Sequence, residues 1–140
     1  MEARTLVEGS GTGSALVLEE PLSFWGGLDP ATGEIVEASH PQRGQKVTGC
    51  ILVLPSGRGS SSSATVLAES IGLGTGPTGI VLGEPDEIIA IGAIVAAELY
   101  DIAIPVVVAP IPPGSGPLRV AAVRGGPPRI RRLRPDETAG

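Results

Sequence analysis

A chain of 140 residues fits one domain and buries roughly two-thirds of the surface that its unfolded form exposes. Hydrophobic residues make up 41 % of it but aromatic ones only 2 %, and ten Lys+Arg against fifteen Asp+Glu leave a formal net charge of −5. With so little for bases to stack on and an acidic balance, a nucleic-acid partner is disfavoured. The core has to be built from Val, Ile, Leu and Ala, which suit close helix-on-sheet layers. The single Cys50 excludes an internal disulfide and a CxxC-type metal or cluster site within this chain, and it suits a reducing cytoplasm. The N-terminus lacks the regions of a signal peptide, and every apolar run is broken by Gly, Pro or charge before about 18 residues. A soluble protein with no membrane partner is expected.

Taken in order, Arg4 to Val7 leads into Gly9-Ser10-Gly11-Thr12-Gly13, whose glycine spacing imitates a nucleotide fingerprint. The next segment, Ser14 to Glu19, reads as a strand, whereas a dinucleotide site needs a helix there. Residues 9–13 are therefore expected to be a turn or lead-in. Phe24 and Trp25 stand beside Gly26-Gly27 and an Asp29-Pro30 turn signal, which predicts an ordered loop. The plainer expectation is that both rings plug one end of the core. The sharper one is that they cover a substrate or seal a subunit interface. Glu34 to Glu37 alternates briefly before His40-Pro41, which holds the only histidine. A lone histidine beside such a turn ordinarily packs or lies on the surface, with general-base catalysis the competing reading.

Lys46 to Leu54 reads as a buried strand closed by Pro55. The turn Ser56-Gly57-Arg58-Gly59-Ser60-Ser61-Ser62-Ser63 comes next, and Ala64 to Ile71 has helical spacing that ends at Gly72 and Gly74. Gly79 to Leu82 is a short buried strand, and Glu84-Pro85-Asp86-Glu87 marks a helix start. Ile88 to Leu99 is apolar on nearly every side, so it should pack on more than one face. Ile104 to Ala109 and Leu118 to Val123 are further strands. The Arg-, Pro- and Gly-rich tail, 124–140, reads as a solvated or disordered end, with docking onto an acidic partner as the alternative. From residue 46 onward the order strand, helix, strand, helix, strand predicts an α/β domain over 1–123, with a mainly parallel sheet and an extra β layer from the first forty-odd residues.

In such a sheet ligands gather outside the carboxyl ends of the strands, which puts Gly57 to Ser63 at the ligand edge. The glycine spacing is wrong for a P-loop, and Ser60 lacks the second flanking glycine of a nucleophile elbow. Glycines admit a ligand close to the backbone, hydroxyls donate and accept, and a helix directly after them offers unpaired N–H groups. On physics alone this is an anion-binding, hydroxyl-activating turn or a flexible surface loop.

Gly59-Ser60-Ser61 before a helix resembles the Gly-Ser-Ser motif of the swivelling domain of the aconitase superfamily. Glu20 to Pro30, His40-Pro41, Pro55 to Ser60, and Glu84-Pro85-Asp86 through Ala97-Glu98-Leu99-Tyr100 look like the small subunit of aconitase X, over about residues 9–123. The resemblance implies a swivelling β/β/α three-layer domain in a heterodimeric dehydratase. Its large subunit would hold an iron–sulfur cluster as Lewis acid, and this chain would supply no metal ligand. It further implies Ser60 as the base, with Ser61 second because the serine repeat allows either alignment, and Arg58, Gly59, Ser61 and Ser62 at the substrate. Where aconitase-type motifs place a carboxylate-binding arginine after the paired serines, this chain has Ser62 and Ser63. That points away from a tricarboxylate and toward a smaller monocarboxylate such as a hydroxyproline, with Arg58 holding the carboxylate or supporting the serine alkoxide. The Gly/Ala/Arg content and the Ser60–Ser63 run look more like the bacterial branch of the family, which puts cis-3-hydroxy-L-proline ahead of phosphomevalonate. A non-catalytic domain whose turn binds an anion or a partner is the competing class.

Overall fold

Branched aliphatic runs bounded by turn formers become the parallel centre of a curled sheet. The computed structural model describes residues 3–59, 61–110 and 116–134; Ser60, the catalytic candidate, lies outside them. In chain order the strands are β1 (Arg4–Val7), β2 (Gly9–Val17), β3 (Leu28–Asp29), β4 (Glu34–Ile35), β5 (Ile51–Leu54), β6 (Gly79–Leu82), β7 (Val106–Val108), β8 (Pro117–Ala122) and β9 (Arg129–Arg132). A short turn α1 (Phe24–Gly27), whose backbone leaves the helical region at Trp25 and Gly26, precedes two full helices, α2 (Ser62–Leu73) and α3 (Glu87–Tyr100). Seven strands form one sheet in the order β1-β7-β6-β5-β2-β8-β9, and β3 and β4 make a separate ribbon.

Strands β2, β5, β6 and β7 run parallel, and β1, β8 and β9 are antiparallel to their neighbours. Because successive residues of a strand point to opposite faces, β5 and β6 build two cores at once. Leu52, Leu54, Ile80 and Leu82 meet Leu67, Ile71, Ile89 and Ala93 of the helices. Ile51, Val53 and Val81 meet Leu118, Val120 and Ala122 of β8. Helices therefore cover one face and the β8–β9 ribbon the other, which is the expected β/β/α layering.

The curl comes from β2, which pairs with β8 over Gly9 to Ser14 and with β5 over Ala15 to Val17. Residues 9–13 are thus strand, not the expected turn. A Cβ at Gly11 would collide with the Thr78 carbonyl oxygen, and one at Gly13 with that of Gly49, so the glycines let two backbones pass at contact distance. The strand expected from Lys46 begins only at Ile51, because Gly49 turns the chain at φ +70°. The tail is not wholly solvated. Arg129–Arg132 pairs with β8 as the edge strand β9, although Arg129, Arg131 and Arg132 still face solvent.

Candidate functional site

The parallel register aligns Val17 with Val53, Leu54 with Leu82, and Leu82 with Val108. Connections leaving β2, β5 and β6 therefore emerge at the same edge, where ligands of open α/β sheets collect. The central one is the turn from Pro55 to Ser61, between β5 and α2. Neighbouring loops hold it on both sides. Arg58 N–H donates to Leu22 O at 3.1 Å, Leu22 and Gly57 form a parallel bridge, and Glu84 N–H donates to Pro55 O at 3.0 Å.

Each glycine of the turn has a local reason. A Cβ at Gly57 would stand 2.5 Å from Asp86 Oδ2 and 2.8 Å from Ile89 Cδ1, so only glycine admits the start of α3 there. Asp86 caps that helix by accepting Ile89 N–H at 3.0 Å. Gly59 has φ +117°, and a Cβ on it would fall 2.7 Å from Ser23 Oγ and 3.1 Å from Ser63 Oγ. These hydroxyls fasten the aromatic loop: Ser23 Oγ donates to Trp25 O at 3.0 Å, and Ser63 Oγ accepts Trp25 N–H at 3.2 Å. Ser63 itself is buried.

The two rings part company. Phe24 is buried in the helix-side core as the plainer expectation has it, but Trp25 is 61 % exposed at the rim of the turn. His40 is buried: its Nδ1 accepts Gln42 N–H at 3.1 Å, and its Nε2 lies 3.2 Å from Glu20 O. With Nδ1 accepting, the ring proton sits on Nε2 and is donated to Glu20 O. That bond steadies the loop that runs from the end of β2 to Leu22.

Of the sequence-derived candidates, Arg58, Gly59, Ser61 and Ser62 lie together on this exposed edge. Ser61 occupies the N-cap position of α2 and its side chain makes no cap bond, so the first-turn amides of that helix are not capped by it. Sequence reasoning missed Glu37. Its Oε2 is 2.5 Å from an Arg58 terminal nitrogen and its Oε1 accepts Ser23 N–H at 3.4 Å. No motif marks it, because the ion pair spans 21 residues. Ser63 and Asp86 were legible only as helix-start residues.

Cys50 precedes β5 and so stands at the opposite end of that strand from the turn. Its Sγ lies 3.7 Å from Lys46 O and 3.6 Å from Thr48 O, and burial pushes the thiol above its ordinary pKa. An iron–sulfur cluster is held by several cysteine thiolates, and this chain has one cysteine, remote from the turn. Among the described residues no three His, Cys, Asp or Glu side chains gather as a metal-ligand group, so the described residues hold no donor set that fits an iron–sulfur cluster.

The geometry defines a β/β/α domain with a glycine–serine turn at the ligand edge of its parallel strands. The family model for the aconitase X swivel domain matches residues 1–114, and the chain belongs to that family. It is 48 % identical over 103 residues to a Pseudomonas aeruginosa cis-3-hydroxy-L-proline dehydratase, covering 74 % of this chain but 18 % of the relative. It thus spans about a fifth of that enzyme's length. To the phosphomevalonate dehydratase small subunit of Pyrococcus furiosus it is 41 % identical over 96 residues, or 69 % of this chain and 72 % of the relative. The crystal structure of Thermococcus kodakaraensis aconitase X in its holo form superposes with a TM-score of 0.77 at 34 % identity, covering 94 % of this chain and 97 % of that one. No helix among the described residues is long and apolar enough to cross a membrane.

Proposed function

We propose that this chain is the small subunit of an aconitase X-type hydro-lyase that removes water from a hydroxy acid, with cis-3-hydroxy-L-proline as substrate and Ser60 as general base. The observation that carries the reading is the Pro55–Ser61 turn of a family member, standing at the ligand edge between β5 and α2. The identity to the hydroxyproline dehydratase over 74 % of the chain supports that substrate. Phosphomevalonate is the second reading, favoured by the relatives that bear that name. The reading places the enzyme in the cytoplasm, where a lone thiol stays reduced.

Ser60 joins Gly59 to Ser61 and takes the proton from the carbon α to the substrate carboxylate. The electron pair left on that carbon forms the double bond as the C–O bond breaks and hydroxide departs, and the iron–sulfur cluster of the large subunit would supply the Lewis-acid activation that takes it up. A serine hydroxyl is too weak an acid to be an alkoxide unaided. The first-turn amides of α2 are the preorganised donors that stabilise it, and the Arg58 guanidinium holds the substrate carboxylate. Arg58 keeps donors beyond the one given to Glu37, since a guanidinium has five. The exposed hydroxyls of Ser61 and Ser62 and the backbone at Gly59 complete the surface offered to substrate. In this reading the iron–sulfur cluster belongs to the large subunit, as the resemblance to the family implies.

In the reconstituted two-subunit complex, Ser60→Ala should lower turnover by about 100- to 10,000-fold, the range of a positioned general base, with assembly unchanged by size-exclusion chromatography. Turnover at the wild-type rate overturns the proposal. Assaying the wild-type complex on cis-3-hydroxy-L-proline and on phosphomevalonate decides between the substrates.

A further inference from the structure

We infer that Glu37 is a positioning residue that sets the Arg58 fork, an inference that rests on the reading of the turn as a carboxylate site. Glu37 is fixed independently of the arginine. Its Oε1 accepts Ser23 N–H at 3.4 Å, and a Cβ at Gly27 would lie only 3.1 Å from the same oxygen, so the aromatic loop closes over the carboxylate. Its side chain is 17 % exposed against 48 % for Arg58. The pair is therefore a nearly buried anion holding one corner of a half-exposed cation at 2.5 Å.

Arg58 is gripped at its other end as well, through its backbone N–H to Leu22 O at 3.1 Å. Between the two grips its long side chain loses the rotamer freedom that an exposed arginine otherwise keeps. The Glu37 charge also offsets that of Arg58. Such a cation selects a carboxylate by the geometry of its remaining donors more than by net field, and a prepaid orientation of this kind strengthens binding without a new contact.

The test is a cycle of Glu37→Gln, Arg58→Ala and the double variant in the two-subunit complex, read on cis-3-hydroxy-L-proline and phosphomevalonate. Glu37→Gln keeps the shape and removes the charge, and should raise KM about 3- to 10-fold with kcat within about twofold, the pattern of lost uniform binding. Arg58→Ala should raise KM further. The double variant should match Arg58→Ala alone, since a residue acting through another adds nothing once that other is gone. Glu37→Asp, which keeps the charge one methylene short, should give an intermediate KM. In the isolated chain, the Arg58 Nε–Hε resonance, assigned with Arg58→Lys, should broaden in Glu37→Gln while the thermal midpoint stays close to wild type.

A wild-type KM for Glu37→Gln, or a double variant worse than Arg58→Ala by the full factor of Glu37→Gln, overturns the inference. Either result with Ser60 still required leaves the site reading standing. Full activity in Ser60→Ala removes the site reading itself, and the inference falls with it.

Discussion

Gly59 is the residue on which the turn's shape depends most directly. Its φ of +117° lies where side chains are strained, and a Cβ would press on the two hydroxyls, of Ser23 and Ser63, that hold the aromatic loop. Gly59→Ala should cost about 1–3 kcal/mol, the scale of a residue forced into such a conformation, measurable as a lowered denaturant midpoint. It should also lower turnover, since the strain falls on the residue next to Ser60. Cys50 gives an independent check at the same scale. Burial raises its pKa, so less thiolate exists near neutrality than for a free thiol of pKa about 8.5. Iodoacetamide should modify it more slowly than a free cysteine at pH 8, with the rate climbing at higher pH. The same sign holds for stability: burial of the neutral thiol favours the fold below the unfolded pKa, and that contribution is lost as pH rises through the folded value. Fast labelling at pH 8 would contradict the burial.

At the scale of elements, the stop and start signals were the most legible. Gly74 caps α2 at φ +80°, and Asp86 caps α3 by accepting Ile89 N–H, as the Gly and Pro-Asp punctuation predicts. Asp86→Ala should therefore destabilise the domain by about 1 kcal/mol, as loss of an N-cap does, and Asp86→Asn should recover most of it; equal melting temperatures for Ala and Asn would refute the cap. Other features were hidden for physical reasons. The glycines of β2 look like loop residues because their reason, the close approach of Thr78 and Gly49, is a tertiary contact. Ile130 and its arginine neighbours look like tail because an edge strand with exposed charged side chains carries no apolar alternation on most of its length. Phe24 and Trp25 are adjacent and similar, so only the fold could send one inward and leave the other at the rim. Glu37 was invisible for the same reason, its partner lying in a different loop.

Considered whole, the molecule presents its proposed chemistry on an open edge. Arg58, Gly59, Ser61 and Ser62 all face solvent, yet an alkoxide in a water-filled site would be protonated and its electrostatic support screened. In the proposed two-subunit enzyme the wall that excludes water comes from the large subunit, and Trp25, 61 % exposed and tied through its backbone to Ser63 at the start of α2, is where that wall should close. Trp25 is the chain's only tryptophan, so a small subunit labelled with 5-fluorotryptophan gives one fluorine resonance. Adding unlabelled large subunit should move that resonance and reduce its shift between light and heavy water, because the indole passes from solvent to contact. The closure does not depend on catalysis, so Ser60→Ala should show the same change while failing to turn over. A resonance unaltered in an active complex would mean that the turn meets its partner from another side.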